Sequence, residues 1–97
     1  MASKLQKKLV DLIKQFPILA RKVEGNASTA LGYPDIEILL KGGMVIFAEV
    51  KEPGDTIKSN QRIRIAQIKE LGFPVYIVDS EEVIEEIVEF IRTWCAS

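Results

Sequence analysis

From Lys4 to Phe16 the apolar residues Leu5, Leu9, Leu12, Ile13 and Phe16 recur at helical spacing and form one stripe of an amphipathic helix. Pro17 stops it, because a proline ring cannot continue the helical ladder. Lys4, Lys7, Lys8 and Lys14 lie off the stripe, facing solvent or a partner. Residues 18–24 carry a weak strand signal, and Gly25-Asn26-Ala27-Ser28-Thr29 has the composition of a loop. Next, Ile36, Ile38 and Leu40 alternate with Asp35, Glu37 and Leu39, and Gly42-Gly43 turns the chain into Met44–Val50, a hairpin. The second strand is apolar on both faces as far as Phe47, which predicts cover on both sides of the sheet.

Glu52-Pro53-Gly54-Asp55 reads as a turn, and a helix is expected from about Ser59 to Leu71, closed by a left-handed Gly72. Lys58 stands where a capping Ser or Thr is expected, so Ser59 is an alternative cap one residue later. Phe73–Val78 is a short strand of buried type. Asp79 or Ser80 should cap the last helix, Asp79 and Glu82 having the spacing of a capping box. Its inner stripe is Val83, Ile84, Ile87, Phe90, Ile91 and Trp94, and Glu81, Glu82, Glu85, Glu86 and Glu89 line its outer face. The order is αβββαβα, an α/β class with a mixed sheet flanked by helices. The hairpin is antiparallel; the strand at 73–78, reached through a crossover helix, should pair in parallel.

Ninety-seven residues with 47% apolar and 28% charged content fit one globular domain, 1–97. With no histidine, Ser-His-Asp and Cys-His chemistry and HExxH zinc sites are excluded. Cys95 is the only cysteine, so no intrachain disulfide and no cysteine-rich zinc site forms. Neither a signal-peptide pattern nor an apolar run long enough for a membrane span is present, and the expected location is intracellular. Net charge is -1, yet residues 1–69 hold 12 basic and 7 acidic residues against 1 and 7 in the remainder. That segregation fits either a basic face meeting a polyanion or surface helices that merely differ in charge.

Three short features suggest catalysis: Pro34-Asp35, Glu49-Val50-Lys51 and Gln61. Singly, each also fits polar residues at a solvated strand edge. Together they gather at one end of the sheet, because the hairpin sets the start of one strand beside the end of its partner. Alternation puts Glu49 and Lys51 on one face. A strict two-residue Gly42-Gly43 turn would pair Asp35 with Val50 and send the carboxylates to opposite faces. A three-residue Lys41-Gly42-Gly43 loop with Gly43 left-handed pairs 35 with 49 instead, and a strand bulge would also serve.

So placed, Asp35 and Glu49 supply hard oxygen ligands for Mg2+ or Mn2+, with the Val50 carbonyl and waters completing the shell. A cation there activates water and stabilises charge on a phosphodiester, while Lys51 orients the nucleophile or neutralises the developing phosphorane. Gln61 shares a helix face with Ile65 and Ile68, so its amide needs a partner. It either bonds water or phosphate at the site or caps local backbone.

At these residues the chain resembles the VRR-NUC (virus-type replication-repair nuclease) domains of the PD-(D/E)xK superfamily. The matching segments are Gly32-Tyr33-Pro34-Asp35, Phe47 through Asp55, Ile57 through Gln61, Leu71-Gly72 and Val75 through Ser80. The resemblance implies a divalent-metal-dependent endodeoxyribonuclease in which Asp35 and Glu49 hold the metal, Lys51 is catalytic and Gln61 assists. It also implies a Holliday-junction-resolvase-like fold, a homodimer acting on branched DNA, and a phage or bacterial setting. Two-fold symmetry suits a pair of cuts, and Ile63, off the inward stripe, is either part of such an interface or an isolated surface isoleucine. Members often carry a glutamate in the first helix that reaches the metal site; the position here is Gln6, a poorer ligand, and Glu37 is a conceivable substitute.

Lys7, Lys8, Lys58, Arg62 and Arg64 suit phosphate contacts that position DNA without reading sequence, so recognition by shape and a steep salt dependence are expected. The alternative is a non-catalytic module that keeps the fold and binds DNA or a protein through its glutamate-rich last helix. RNA as substrate stays open, since metal-assisted hydrolysis does not itself select the sugar.

Overall fold

The computed structural model describes residues 3–23 and 32–97. Helix α1 (Lys4–Ile13) is followed by strands β1 (Leu19–Lys22), β2 (Ile36–Leu40) and β3 (Met44–Val50). Helix α2 (Ser59–Glu70), strand β4 (Val75–Val78) and helix α3 (Glu81–Ala96) complete the αβββαβα order. The expected loop at 25–29 lies outside the described residues.

The four strands form one sheet in the order β1-β2-β3-β4, antiparallel across the first two pairings and parallel between β3 and β4. Its two faces differ. Ile36, Ile38, Leu40, Ile46, Ala48 and Val78 point to one face and pack with Leu9 and Ile13 of α1 and with Ile84, Ile87, Val88 and Ile91 of α3. On the other face lies Phe47, its ring edge-on to Phe73, and α2 buries Ile65 and Ile68. This two-sided cover matches the doubly apolar reading of β3.

The hairpin register decides the site. Ile36 pairs with Ala48 and Leu40 with Met44, leaving a three-residue 3-10 turn, Lys41–Gly43. Gly42 and Gly43 have φ of 74° and 79°, the left-handed region where only glycine is unstrained. The three-residue loop is therefore the one the chain adopts.

Several boundaries differ from the sequence reading: β4 begins at Val75 rather than Phe73, β1 is confined to Leu19–Lys22, and α2 ends one residue early at Glu70. Helix α1 ends at Ile13 rather than Phe16; Pro17 disfavours helical backbone at Phe16, whose N–H closes a tight turn onto the Ile13 carbonyl at 3.1 Å. Helix α3 has Ser80 as its N-cap, with no side-chain cap bond, so the Asp79–Glu82 box does not form. Counted from Ser80, the box partner would be Val83, which has no acceptor. At α2 the N-cap is Lys58, not Ser59; a lysine accepts nothing, but Gln61 reaches back and its Oε1 takes the Lys58 N–H at 3.0 Å.

Candidate active site

The two carboxylates are placed by strand pairing. Continuing the β2–β3 register by one residue sets Asp35 opposite Glu49, and by a second sets Pro34 opposite Val50. Pro34 has no N–H, so the ladder cannot continue and the Val50 carbonyl receives no donor from that residue. The Asp35 side chain completes the pairing in its place: its Oδ2 accepts the Val50 N–H at 3.0 Å. In return the Asp35 N–H donates to Oε1 of Glu49 at 3.1 Å.

Glu49 is only 2% exposed and is the one buried charged residue among those described. Its Oε2 accepts from the Gln61 amide at 2.7 Å and lies 3.3 Å from the Lys51 ammonium. Gln61 Oε1 in turn accepts from Lys51 Nζ at 3.0 Å. Gln61 thus takes both readings at once, capping the Lys58 backbone and joining the two charged side chains. Among the described residues, no buried side-chain nitrogen or oxygen lacks a partner.

Burial pushes the Glu49 carboxyl above its ordinary value of 4.5, and the negative charge of Asp35 adds to this. The Lys51 charge and the hydrogen bonds from Lys51 and Gln61 act the other way without cancelling it. A buried carboxylate held against a second carboxylate is a place where a cation is favoured. The donor set fits a hard divalent ion: two carboxylates with lone pairs remaining and a carbonyl that receives no donor from Pro34, a number that suits an ion keeping several waters. No group of three or more acidic, His or Cys side chains forms a fuller cage among the described residues.

The remaining candidates separate. Gln6 makes no hydrogen bond to this cluster; its side chain lines a cavity of about 240 Å³ with Val10, Arg21, Lys22 and Ile36, and its backbone N–H is held by the Ser3 cap at 3.0 Å. Glu37 is engaged by Arg21 at 3.1 Å and so does not replace a missing ligand. Lys58, Arg62 and Arg64 belong to the α2 region that delivers Gln61. Lys8 is paired with Glu81, and Lys7 is exposed on α1, whose buried side packs with α3 across the sheet from α2. Pro34 opposite Val50 is the element that sequence reasoning missed; carrying the hairpin register past the last pair would have revealed it.

A family model described as the VRR-NUC domain matches residues 2–82. The chain belongs to the VRR-NUC family. A solved structure titled "VRR_NUC domain" superposes with a TM-score of 0.74 at 22% identity, covering 89% of this chain and 91% of that one. At that identity the likeness shows the fold alone, a mixed sheet flanked by helices. No curated protein matches. The VRR-NUC assignment makes this a nuclease-type domain, a family associated with DNA and divalent metals. Among its described residues no helix is long and apolar enough to cross a membrane.

Proposed function

We propose that this VRR-NUC domain is a divalent-metal-dependent endodeoxyribonuclease that hydrolyses phosphodiester bonds in branched DNA, Holliday junctions included. The observation that carries the reading is the convergence of Asp35, Glu49 and Lys51 at one end of the sheet, tied by Gln61. Asp35, Glu49 and the Val50 carbonyl would hold Mg2+ or Mn2+. Bound there, the ion supplies Lewis acidity toward water and the phosphate.

The protein's own residues supply the rest. The Val50 N–H and the Asp35 N–H fix the two carboxylates relative to one another, so little reorganisation is needed at the moment of reaction. The Lys51 ammonium, 14% exposed, is held by Gln61 at the edge of the pair and donates to a phosphate oxygen as negative charge builds. Lys51 is anchored at two points, to Gln61 Oε1 at 3.0 Å and to Glu49 Oε2 at 3.3 Å. Lys58 and Arg62 are exposed beside the site and would carry flanking phosphates, giving binding that weakens steeply with salt. The chain acts as a homodimer in this reading, since two opposed cuts need two sites related by a two-fold axis; Ile63, 61% exposed on α2, is available to such a contact.

The test is cleavage of labelled four-way junction, flap, linear duplex and RNA in Mg2+, Mn2+ and EDTA, with Lys51→Ala alongside. Cutting of branched DNA that needs the metal and Lys51 is expected; cutting in EDTA or by the variant would defeat the proposal. A second reading, a binding module without catalysis, draws on the sparse donor set: no third acidic side chain joins Asp35 and Glu49 among the described residues. Binding without cleavage in either metal would favour it.

A further inference from the structure

Tyr33 stands apart from the other aromatic residues. Phe47 and Phe73 pair with one another, as do Tyr76, Phe90 and Trp94 in series, and Phe16 is half-buried against Arg92, whereas Tyr33, at 36%, is the one aromatic among the exposed large apolar side chains of the described residues. One side of its ring is supported: the Arg64 guanidinium carbon lies 5.1 Å from the ring centroid. An exposed ring backed by a cation is an ordered surface rather than a loose side chain.

Its position is fixed from both sides along the chain. Gly32 has φ +80° and lies so close to α2 that a Cβ there would come within 2.5 Å of the Asn60 carbonyl oxygen. Pro34, the next residue, is fully buried. Between these anchors Tyr33 is held two residues before Asp35, and Arg64 one helical turn after Gln61, so the pair borders the proposed cutting site on the strand side and the helix side together.

Resting on that proposed function, we infer that Tyr33, backed by Arg64, is a stacking platform for an unpaired nucleobase next to the scissile phosphate. The base lies on the ring face turned away from Arg64, while Lys58 and Arg62 take neighbouring phosphates. A stacked duplex hides the faces of its bases, so only a branch point, flap, gap or end can offer one. The platform therefore makes branched or unpaired DNA the preferred substrate without any base-edge contact. Because ring and guanidinium are already ordered, binding pays little to arrange them.

The experiment uses the full chain in EDTA, so that no DNA is cut, with flap DNA carrying 2-aminopurine at successive positions around the branch, the matching duplex, and an RNA flap of the same sequence. Stacking should quench the fluorescence at one position beside the branch for the wild type and for Tyr33→Phe, and not for Tyr33→Ala. Tyr33→Ala should weaken flap binding about tenfold and leave duplex binding unchanged, with an unaltered circular dichroism melt. An RNA flap quenched equally would extend the platform to any unpaired base. Equal loss on flap and duplex, or tight flap binding with no quenched position, overturns the platform and leaves the nuclease reading standing. Failure to bind any of these nucleic acids at low salt overturns both.

Discussion

Asp35 and Glu49 are held together through backbone N–H groups despite their like charge: the Asp35 N–H donates to Glu49 Oε1 at 3.1 Å, while Asp35 Oδ2 receives the N–H of Val50, the residue after Glu49, at 3.0 Å. Two like charges are thus locked side by side at the point where Pro34 ends the β2–β3 ladder. The arrangement favours function over stability, since burying ionised Glu49 beside another carboxylate is unfavourable until a cation arrives.

The first consequence is a titration. Followed by carboxyl NMR in metal-free protein, Glu49 should titrate above 4.5, because burial first and Asp35 second raise it. Asp35→Asn should bring the midpoint down, and Lys51→Met should push it further up. A Glu49 midpoint at or below 4.5 in the wild type would contradict the account.

Stability should follow the same sign. A carboxyl raised in the folded state binds its proton more tightly there than in the unfolded chain, so this group's stabilisation is complete below pH 4.5 and is lost as pH rises through the folded value. Divalent cation reverses the trend by binding the ionised form. Mn2+ should therefore raise the melting temperature more at pH 7 than at pH 5, and should not raise it in Asp35→Asn. Thermal melts at the two pH values decide this.

Gln61 serves three partners, so its removal should be felt in both folding and chemistry. Gln61→Ala strips the cap from Lys58 N–H and leaves buried Glu49 Oε2 without its 2.7 Å donor; urea denaturation should show a loss of about 2–3 kcal/mol. Cleavage should fall through kcat rather than KM, because Lys51 loses the acceptor that holds it. An unchanged kcat would mean that Lys51 is positioned by Glu49 alone.

Two glycines should respond differently to alanine. Gly43 has φ +79° with nothing within 4 Å of an added Cβ, so Gly43→Ala should cost only the left-handed penalty, about 1–2 kcal/mol. Gly32→Ala adds a collision with the Asn60 backbone to the same penalty and should be the more destabilising of the two. It should also disturb the Asp35 end of the site, lowering Mn2+ affinity, which isothermal titration calorimetry would measure.

Where the sequence was informative, the reason was burial. Ile36, Ile38 and Leu40 must face one core, which fixes the inward face of β2; the partner strand is apolar on both faces, so the register stayed open between two turn lengths, and the three-residue Lys41–Gly43 turn brings Asp35 opposite Glu49. The α2 face was equally legible, since Ile65 and Ile68 fix where Gln61 points. Strand β1 gave only a weak signal because all four of its residues are exposed at the sheet edge, where no burial pattern is imposed. Helix ends were least legible: Phe16 fits the α1 stripe but is lost to Pro17, and Asp79 fits a cap that Ser80 occupies without side-chain help. Partners far apart in the chain, such as Lys8 with Glu81 or Arg64 with Tyr33, left no local pattern at all.

The most direct test of the metal site is a crystal of the protein soaked in Mn2+ and measured at an X-ray energy where manganese scatters anomalously. The account predicts a single strong peak touching both the Asp35 and Glu49 carboxylates, lost in crystals of Asp35→Asn. A peak elsewhere on the chain, or none at saturating Mn2+, would contradict it.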